Sequence, residues 1–177
     1  MAYTADEAAY KQLYLHFHPG LYRLAFSFLK NPDDADLVVS DLLLKVWEMG
    51  PRLGTIDNLR LYLFKSARNA IFTRLNTNKV KRNLESEQAC GEMPANAGMQ
   101  DPDQRILLRE TSRQIEKAVQ QLSPQCQMVF RLIREEGLNY KQVQQVMDIS
   151  QNTIETHMRI ALKKIRTQLE AYLEGKR

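Results

Sequence analysis

Residues 137–163, GLNYKQVQQVMDISQNTIETHMRIALK, contain the pattern that decides the fold of the second half of the chain. Within this stretch, residues 140–147 predict a short helix and residues 148–150 predict a tight turn. A longer helix is predicted from about 151 to 173, with Ser150 as its N-cap. A short helix, a tight turn and a longer helix together form the helix-turn-helix pattern of DNA-binding proteins.

The two sides of the longer helix predict different surroundings. Apolar residues at helical spacing predict a buried face made of Ile154, Met158, Ala161, Leu162 and Ile165. The opposite stripe is polar and contains Asn152, Glu155, Thr156, Arg159 and Lys163. These side-chain types suit the edges of bases and the phosphates of a DNA groove. Any surface helix has a polar stripe, but the preceding short helix and turn favour DNA recognition here.

The composition of the whole chain predicts an all-α protein. The 177 residues include only 7 glycines and 6 prolines, and good helix formers dominate. The two cysteines, Cys90 and Cys126, lie at no metal-ligand spacing, and neither a secretory signal nor an apolar run of membrane length is found. We therefore expect a cytoplasmic protein without a metal or other cofactor.

The first half of the chain predicts four helices. They are expected at about 5–17, 20–29, 32–49 and 57–75, with a break at Pro19-Gly20 and a loop from Gly50 to Gly54. Asn31 is a predicted N-cap, since a proline and two aspartates follow it.

Polar residues and helix breakers then replace the helical periodicity over residues 76–104. We predict two small helical domains, 1–84 and 105–177, joined by a flexible acidic linker at 85–104. Residues 57–84 carry seven basic side chains and one acid, whereas 85–104 carry five acids and no base. Such a basic block, with aromatic residues between the charges, predicts a polyanionic partner.

The predicted helix at 57–75 also has two distinct sides. Its core face is expected to contain Leu59, Leu63, Ala67, Ala70 and Ile71. The other side carries Lys65, Arg68, Asn69, Phe72 and Asn76. Cations, an amide and an aromatic ring can hold a phosphate backbone while they contact an unpaired base. Phe72 by itself would be assigned to the core, and only its position on the basic side favours a role in binding.

Several motifs resemble one family, the extracytoplasmic-function sigma factors. Residues 33–47, DDADLVVSDLLLKVW, look like the polymerase-binding helix of their region 2, and residues 61–69, LYLFKSARN, are similar to their promoter-melting segment. LSP at 122–124, EGLNY at 136–140 and TIETH at 153–157 resemble region 4. The order and spacing of these motifs are more specific than any one of them.

The resemblance implies a sigma factor that brings core RNA polymerase to promoter DNA and is not an enzyme. Region 2 would dock on the largest polymerase subunit through Asp36, Ser40, Asp41, Lys45 and Trp47. It would open the minus-ten element through Lys65, Arg68, Asn69, Phe72 and Arg74. Region 4 would sit on a flap of the second-largest subunit and read the minus-thirty-five element through Asn152, Thr153, Glu155, Thr156, His157, Arg159 and Lys163. An anti-sigma factor, often membrane-anchored in this family, is a further partner that the resemblance implies.

The sequence departs from the family pattern at four positions. Leu37 and Ser40 replace the usual acid and glutamine of the polymerase-binding helix, so Asp41 is the clearest matching contact. Gln144 replaces a small residue of the DNA reader, and Asp148 replaces the usual turn glycine. Because aspartate tolerates the left-handed conformation better than most residues, the turn is expected to form.

Two other classes of protein remain as alternatives. A helix-turn-helix repressor or activator would explain the second half, but not the long basic helix and its acid-rich neighbour in the first half. An enzyme would need a Ser/His/Asp arrangement, a glycine-rich phosphate loop or a metal cluster, and the sequence has no such motif.

Overall fold

A computed structural model describes residues 3–82 and 102–175, with side chains described over 7–78 and 108–175. The described residues contain α-helices and no strand, which confirms the predicted all-α class. The helices divide into two compact units, of which the first contains α1 to α3 and the second contains α4, α5, α7 and most of α6. The helices are α1 (Tyr3–Leu29), α2 (Pro32–Glu48), α3 (Leu59–Arg82), α4 (Pro102–Gln120), α5 (Pro124–Arg134), α6 (Tyr140–Met147) and α7 (Gln151–Glu174).

The first unit is a three-helix arrangement around one apolar core. The fully buried side chains that fill it are Leu21 and Leu24 of α1, Val39, Leu43 and Val46 of α2, and Leu63 and Ile71 of α3. Full burial of an aliphatic side chain of this size contributes about 1.5–3 kcal/mol relative to exposure. This core fixes which sides of α2 and α3 face outward.

The helix α1 is continuous, so the predicted break at Pro19-Gly20 is wrong. Proline lacks the N–H that would bond to the carbonyl of Leu15, which costs about 3 kcal/mol in a helix interior. Both Pro19 and Leu15 are exposed, so water can reach the carbonyl that loses its partner. Leu21 and Leu24 pack in the core directly after the proline and hold the second half of the helix in line.

The helix α2 begins as predicted. Asn31 has an extended backbone, and its side chain accepts a hydrogen bond from the Asp34 N–H at 3.1 Å. Pro32 occupies the first turn, where its missing N–H is not needed. Beyond the end of α2, Gly50–Thr55 forms a 3-10 helix rather than the predicted loop, and Thr55 Oγ1 donates to the Arg52 carbonyl at 2.7 Å.

The helix α3 runs seven residues beyond its predicted end. Apolar periodicity ceases at residue 75, but a polar helix can continue in solvent from a packed segment. Asn78 contributes by donating to Asp34 Oδ2 of α2 at 3.2 Å. Most of the predicted linker, residues 85–101, lies outside the described residues, whereas 102–104 already belong to α4.

The second unit combines an apolar core with a buried ionic cluster. Val119, Met128, Leu132 and Ile154 are almost completely buried. Arg131 is 3 % exposed and donates to Glu116 of α4 at 2.7 Å and to Glu135 at 2.5 Å. Because a buried charge is costly unless it is paired, these bonds tie α5 to α4. Burial, helped by the nearby Glu116 and Glu136, raises the pKa of Glu135 above its usual value despite the opposing effect of Arg131.

Candidate nucleic-acid interface

The turn between α6 and α7 has the geometry that a helix-turn-helix requires. Asp148 adopts the left-handed conformation, with φ 56° and ψ 47°, and its N–H donates to the Gln144 carbonyl at 2.8 Å. This confirms the expectation that aspartate can stand where the turn favours glycine. Ser150 then caps α7 by accepting from the Thr153 N–H at 3.2 Å, also as predicted.

The polar stripe of α7 is exposed along its length. Ile154, Met158 and Ala161 are buried beneath it, which confirms the predicted orientation of the helix. Leu162 is 45 % exposed, so its assignment to the buried face is wrong. The exposed polar residues of the predicted set are Asn152, Thr153, Glu155, Thr156, Arg159 and Lys163.

Hydrogen bonds within α7 restrain part of this stripe. Glu155 accepts from Gln151 Nε2 at 3.0 Å, and Arg159 Nη2 donates to Thr156 Oγ1 at 3.4 Å. These contacts lie between neighbouring turns and leave the outer face of the helix open. The stripe therefore presents a guanidinium, a carboxylate, an amide and an ammonium group in one row.

His157 differs from the rest of the predicted set because it is half-buried. Its Nδ1 is buried without a hydrogen-bond partner, and its carbonyl accepts a bond from Cys126 Sγ at 3.2 Å. The Nδ1 edge of the imidazole is thus turned away from solvent. A DNA contact by His157 would use only the outer part of the ring.

The basic side of α3 contains the residues predicted for the minus-ten element. Lys65 and Asn69 are exposed, and Arg68 Nη1 donates to Asn69 Oδ1 at 2.8 Å. Phe72 is half-buried and packs against Phe28 of α1, with 6.2 Å between ring centroids. The structure therefore places Lys65, Arg68 and Asn69 close together, while Phe72 is partly engaged by the core.

Arg74 of α3 forms an ion pair with α2. Its Nη2 lies 2.5 Å from Asp34 Oδ1 of α2, so the guanidinium would have to leave this ion pair to reach DNA. The sequence did not reveal this pairing, because 40 residues separate the two partners.

The outer face of α2 carries the residues predicted for polymerase docking. Asp36, Asp41 and Lys45 are exposed, whereas Ser40 and Trp47 are half-buried. Trp47 packs against Tyr10 of α1, with 5.2 Å between ring centroids. Sequence reasoning missed that Leu37 and Leu44 are also exposed on this helix, at 49 % and 48 %.

The part of the chain that the structure describes contains neither a membrane-spanning helix nor a cluster of metal ligands. None of its helices combines the length and the apolar composition of a membrane-spanning segment. No group of three or more histidine, cysteine, aspartate or glutamate side chains is placed to hold a metal ion there.

The chain matches the models of two known sequence families. The family model of sigma-70 region 2 matches residues 13–80, and that of sigma-70 region 4 matches residues 112–165. Together the two matches cover more than half of the sequence, and the chain belongs to the sigma-70 family. Sigma factors direct RNA polymerase to promoters and are not enzymes, so the predicted class of function is confirmed.

Solved structures share this fold. The sigma factor RpoE from Bartonella quintana, in complex with the anti-sigma factor NepR, has a TM-score of 0.71 at 21% sequence identity, over 92% of this chain and 97% of that chain. CnrH, in complex with the cytosolic domain of CnrY, has a TM-score of 0.61 at 20% identity, over 93% of this chain and 90% of that chain. No significant similarity to a curated protein sequence is found.

Proposed function

We propose that this sigma factor belongs to the extracytoplasmic-function group and uses three separate surfaces in the cytoplasm. The outer face of α2 docks on core polymerase, the basic side of α3 opens the minus-ten element, and the polar stripe of α7 reads the minus-thirty-five element. The observation that carries the proposal is the exposed stripe of α7 directly after the left-handed turn at Asp148.

For the minus-thirty-five element, base recognition is assigned to Arg159 and Asn152. Arginine can bond guanine with two parallel hydrogen bonds, and asparagine can do the same with adenine. Lys163 is exposed one turn after Arg159, and its ammonium group neutralises a phosphate in this proposal. Glu155 and Thr156 lie between Asn152 and Arg159 and complete a helix face that fits a major groove.

For the minus-ten element, the cluster of Lys65, Arg68 and Asn69 is the proposed melting surface. The bond from Arg68 to Asn69 orients the amide, and Lys65 is exposed one turn before it. Cations beside an amide can hold the backbone of an extruded nucleotide while the amide bonds its base. Phe72 can offer only the edge that its contact with Phe28 leaves open.

For polymerase docking, the proposed contacts are Asp36, Asp41 and Lys45. The exposed Leu37 and Leu44 add apolar area to the same helix. Such a mixture of charged groups and leucines is typical of an interface in which charge sets orientation and apolar area contributes affinity.

An anti-sigma factor is the further proposed partner. The RpoE and CnrH structures were both obtained as complexes, one with an anti-sigma factor and one with a cytosolic domain of another protein. The second complex also supports the cytoplasmic location that we propose.

The proposal is tested by permanganate footprinting of promoter complexes formed with core polymerase. Asn69→Ala and Arg68→Ala should reduce reactive thymines in the minus-ten region while closed-complex formation persists, because their surface acts on the opened strand. A premelted template should restore both variants. Thr73→Ala, at an exposed uncharged position of α3, is the matched control and should resemble the wild type. Footprints at wild-type level in both variants would remove α3 from the melting role.

A further inference from the structure

A row of aromatic rings follows one side of α1 at four-residue spacing. It consists of Tyr10, Tyr14, His18, Tyr22 and Phe26. The His18 ring stacks on Tyr14, with 4.5 Å between centroids and 23° between planes, and on Tyr22, with 5.7 Å and 17°. His18 is thus held between two rings, and it is the member of the row that can carry a positive charge.

His18 also reaches the neighbouring helix. Its Nε2 lies 3.1 Å from Asp36 Oδ1 of α2, and the His18 side chain is 20 % exposed against 58 % for Asp36. The imidazole is therefore enclosed by its surroundings, and the carboxylate is the more solvent-accessible partner of the pair. Both the imidazolium and the neutral ring with its proton on Nε2 can donate to Asp36.

We propose that His18 is a positioning residue for the docking face, and that its protonation weakens binding to core polymerase. This inference rests on the proposed docking role of Asp36. A neutral His18 holds the Asp36 carboxylate in one orientation and leaves its charge available to a basic side chain of the polymerase. An imidazolium partly neutralises the same carboxylate and competes with that basic side chain.

The titratable groups near His18 lie on α1 and α2. Tyr14 and Tyr22 flank the ring on α1, and phenols in general ionise well above neutral pH. On α2, Asp36 faces it directly, and the exposed Asp33 precedes Asp36 by three residues. The imidazole is the member of the aromatic row that can gain a positive charge, so the difference in pH dependence between the wild type and a variant without this imidazole reports on it.

Affinity of the full chain for core polymerase, measured at about pH 5.5 and about pH 8 at constant ionic strength, tests the inference. The wild type should lose about two- to five-fold more affinity on acidification than His18→Gln, whose amide can still donate to Asp36 but cannot become charged. His18→Phe, which keeps a ring in the row, should also lose the extra dependence. His16→Gln is the matched control and should follow the wild type, because His16 is exposed and its ring contacts Phe17.

Titration of the polymerase itself is common to all variants and cancels in these ratios. Thermal melting at each pH shows which samples remain folded. The Asp36→Asn variant distinguishes the docking role of Asp36 from the positioning role of His18. If Asp36→Asn weakens binding at about pH 8 while His18→Gln and His18→Phe keep the wild-type pH ratio, the positioning role is overturned and the docking role survives. If Asp36→Asn binds as tightly as the wild type, the docking role of Asp36 fails and the inference fails with it.

Discussion

Arg74 and Asp34 form an ion pair that joins the proposed melting helix to the first turn of the proposed docking helix. The Arg74 Nη2 and Asp34 Oδ1 atoms are 2.5 Å apart, and the Asp34 side chain is 19 % exposed. The hydrogen bond to Asp34 and then its charge raise the pKa of Arg74 above its usual range. The Asp34 carboxylate also stabilises α2, because it lies in the first turn, where the helix dipole is positive.

Removal of this pair should destabilise the first unit. We expect Arg74→Gln to lower the free energy of unfolding by about 1–2 kcal/mol, because it leaves a half-buried carboxylate with fewer donors. Asp34→Asn should have a similar effect, and the double variant should be less than additive. Urea titration of the four proteins measures the coupling. Unchanged stability together with a loss of promoter opening in Arg74→Gln would instead assign the side chain to DNA.

The left-handed turn at Asp148 should tolerate some residues and reject others. Asp148→Val should lower the free energy of unfolding of the second unit by about 1–2 kcal/mol, because a β-branched residue is strained at positive φ. Asp148→Asn should be close to neutral, since asparagine also adopts this conformation. Thermal melting monitored by circular dichroism compares the two. Equal stability of the valine and asparagine variants would show that the turn relaxes to another backbone conformation.

Local signals in the sequence were sufficient to predict most helix boundaries. The N-caps at Asn31 and Ser150 form as expected, because each depends on a side chain and a backbone N–H three residues away. The continuous α1 could not be predicted, since packing of Leu21 and Leu24 outweighs the local cost of Pro19. The capping box of Asn139 and Gln142 was readable from its spacing but was not identified.

Arg159 and Lys163 should respond differently to substitution. Arg159→Ala should weaken binding of the polymerase complex to its cognate minus-thirty-five element by about 1–3 kcal/mol and relax base preference at one position. Lys163→Ala should weaken binding to all sequences alike and lower the salt dependence. Competition binding against a set of single-base promoter variants measures both effects. A uniform loss across the set for Arg159→Ala would remove it from base recognition.

The Cys126 thiol should be inert in the folded protein. Burial raises its pKa, and alkylation requires the thiolate. In a Cys90→Ser background at about pH 8.5, alkylation should be at least about ten-fold slower in the folded protein than in denaturant. Because the folded state binds this proton more tightly, the associated stability is present below the unfolded pKa and is lost as pH rises through the folded value. Equal rates in the folded and denatured protein would contradict the burial of the thiol.

The sequence predicts which candidate site residues are exposed where their exposure is set by the periodicity of a single helix. The stripe of α7 follows from helical periodicity, and Asn152, Glu155, Thr156, Arg159 and Lys163 are exposed as that pattern predicts. Contacts between helices were not predictable, because no local pattern links His18 to Asp36 or Asp34 to Arg74. One core residue of α3 is missing from the predicted set. Phe64 is buried, whereas the predicted core face contains only aliphatic residues.

Run-off transcription with purified core polymerase tests most directly whether this chain selects promoters. Core enzyme should start at one defined position on a cognate template only when the chain is added, and a chain with both Arg159→Ala and Asn69→Ala should lose that product. Transcription from nicked or tailed templates, which core enzyme uses alone, should be unchanged by the variant and controls for polymerase activity. A defined start without the chain, or tight sequence-specific DNA binding by the free chain with no effect on start-site selection, would contradict the sigma-factor function and favour a repressor.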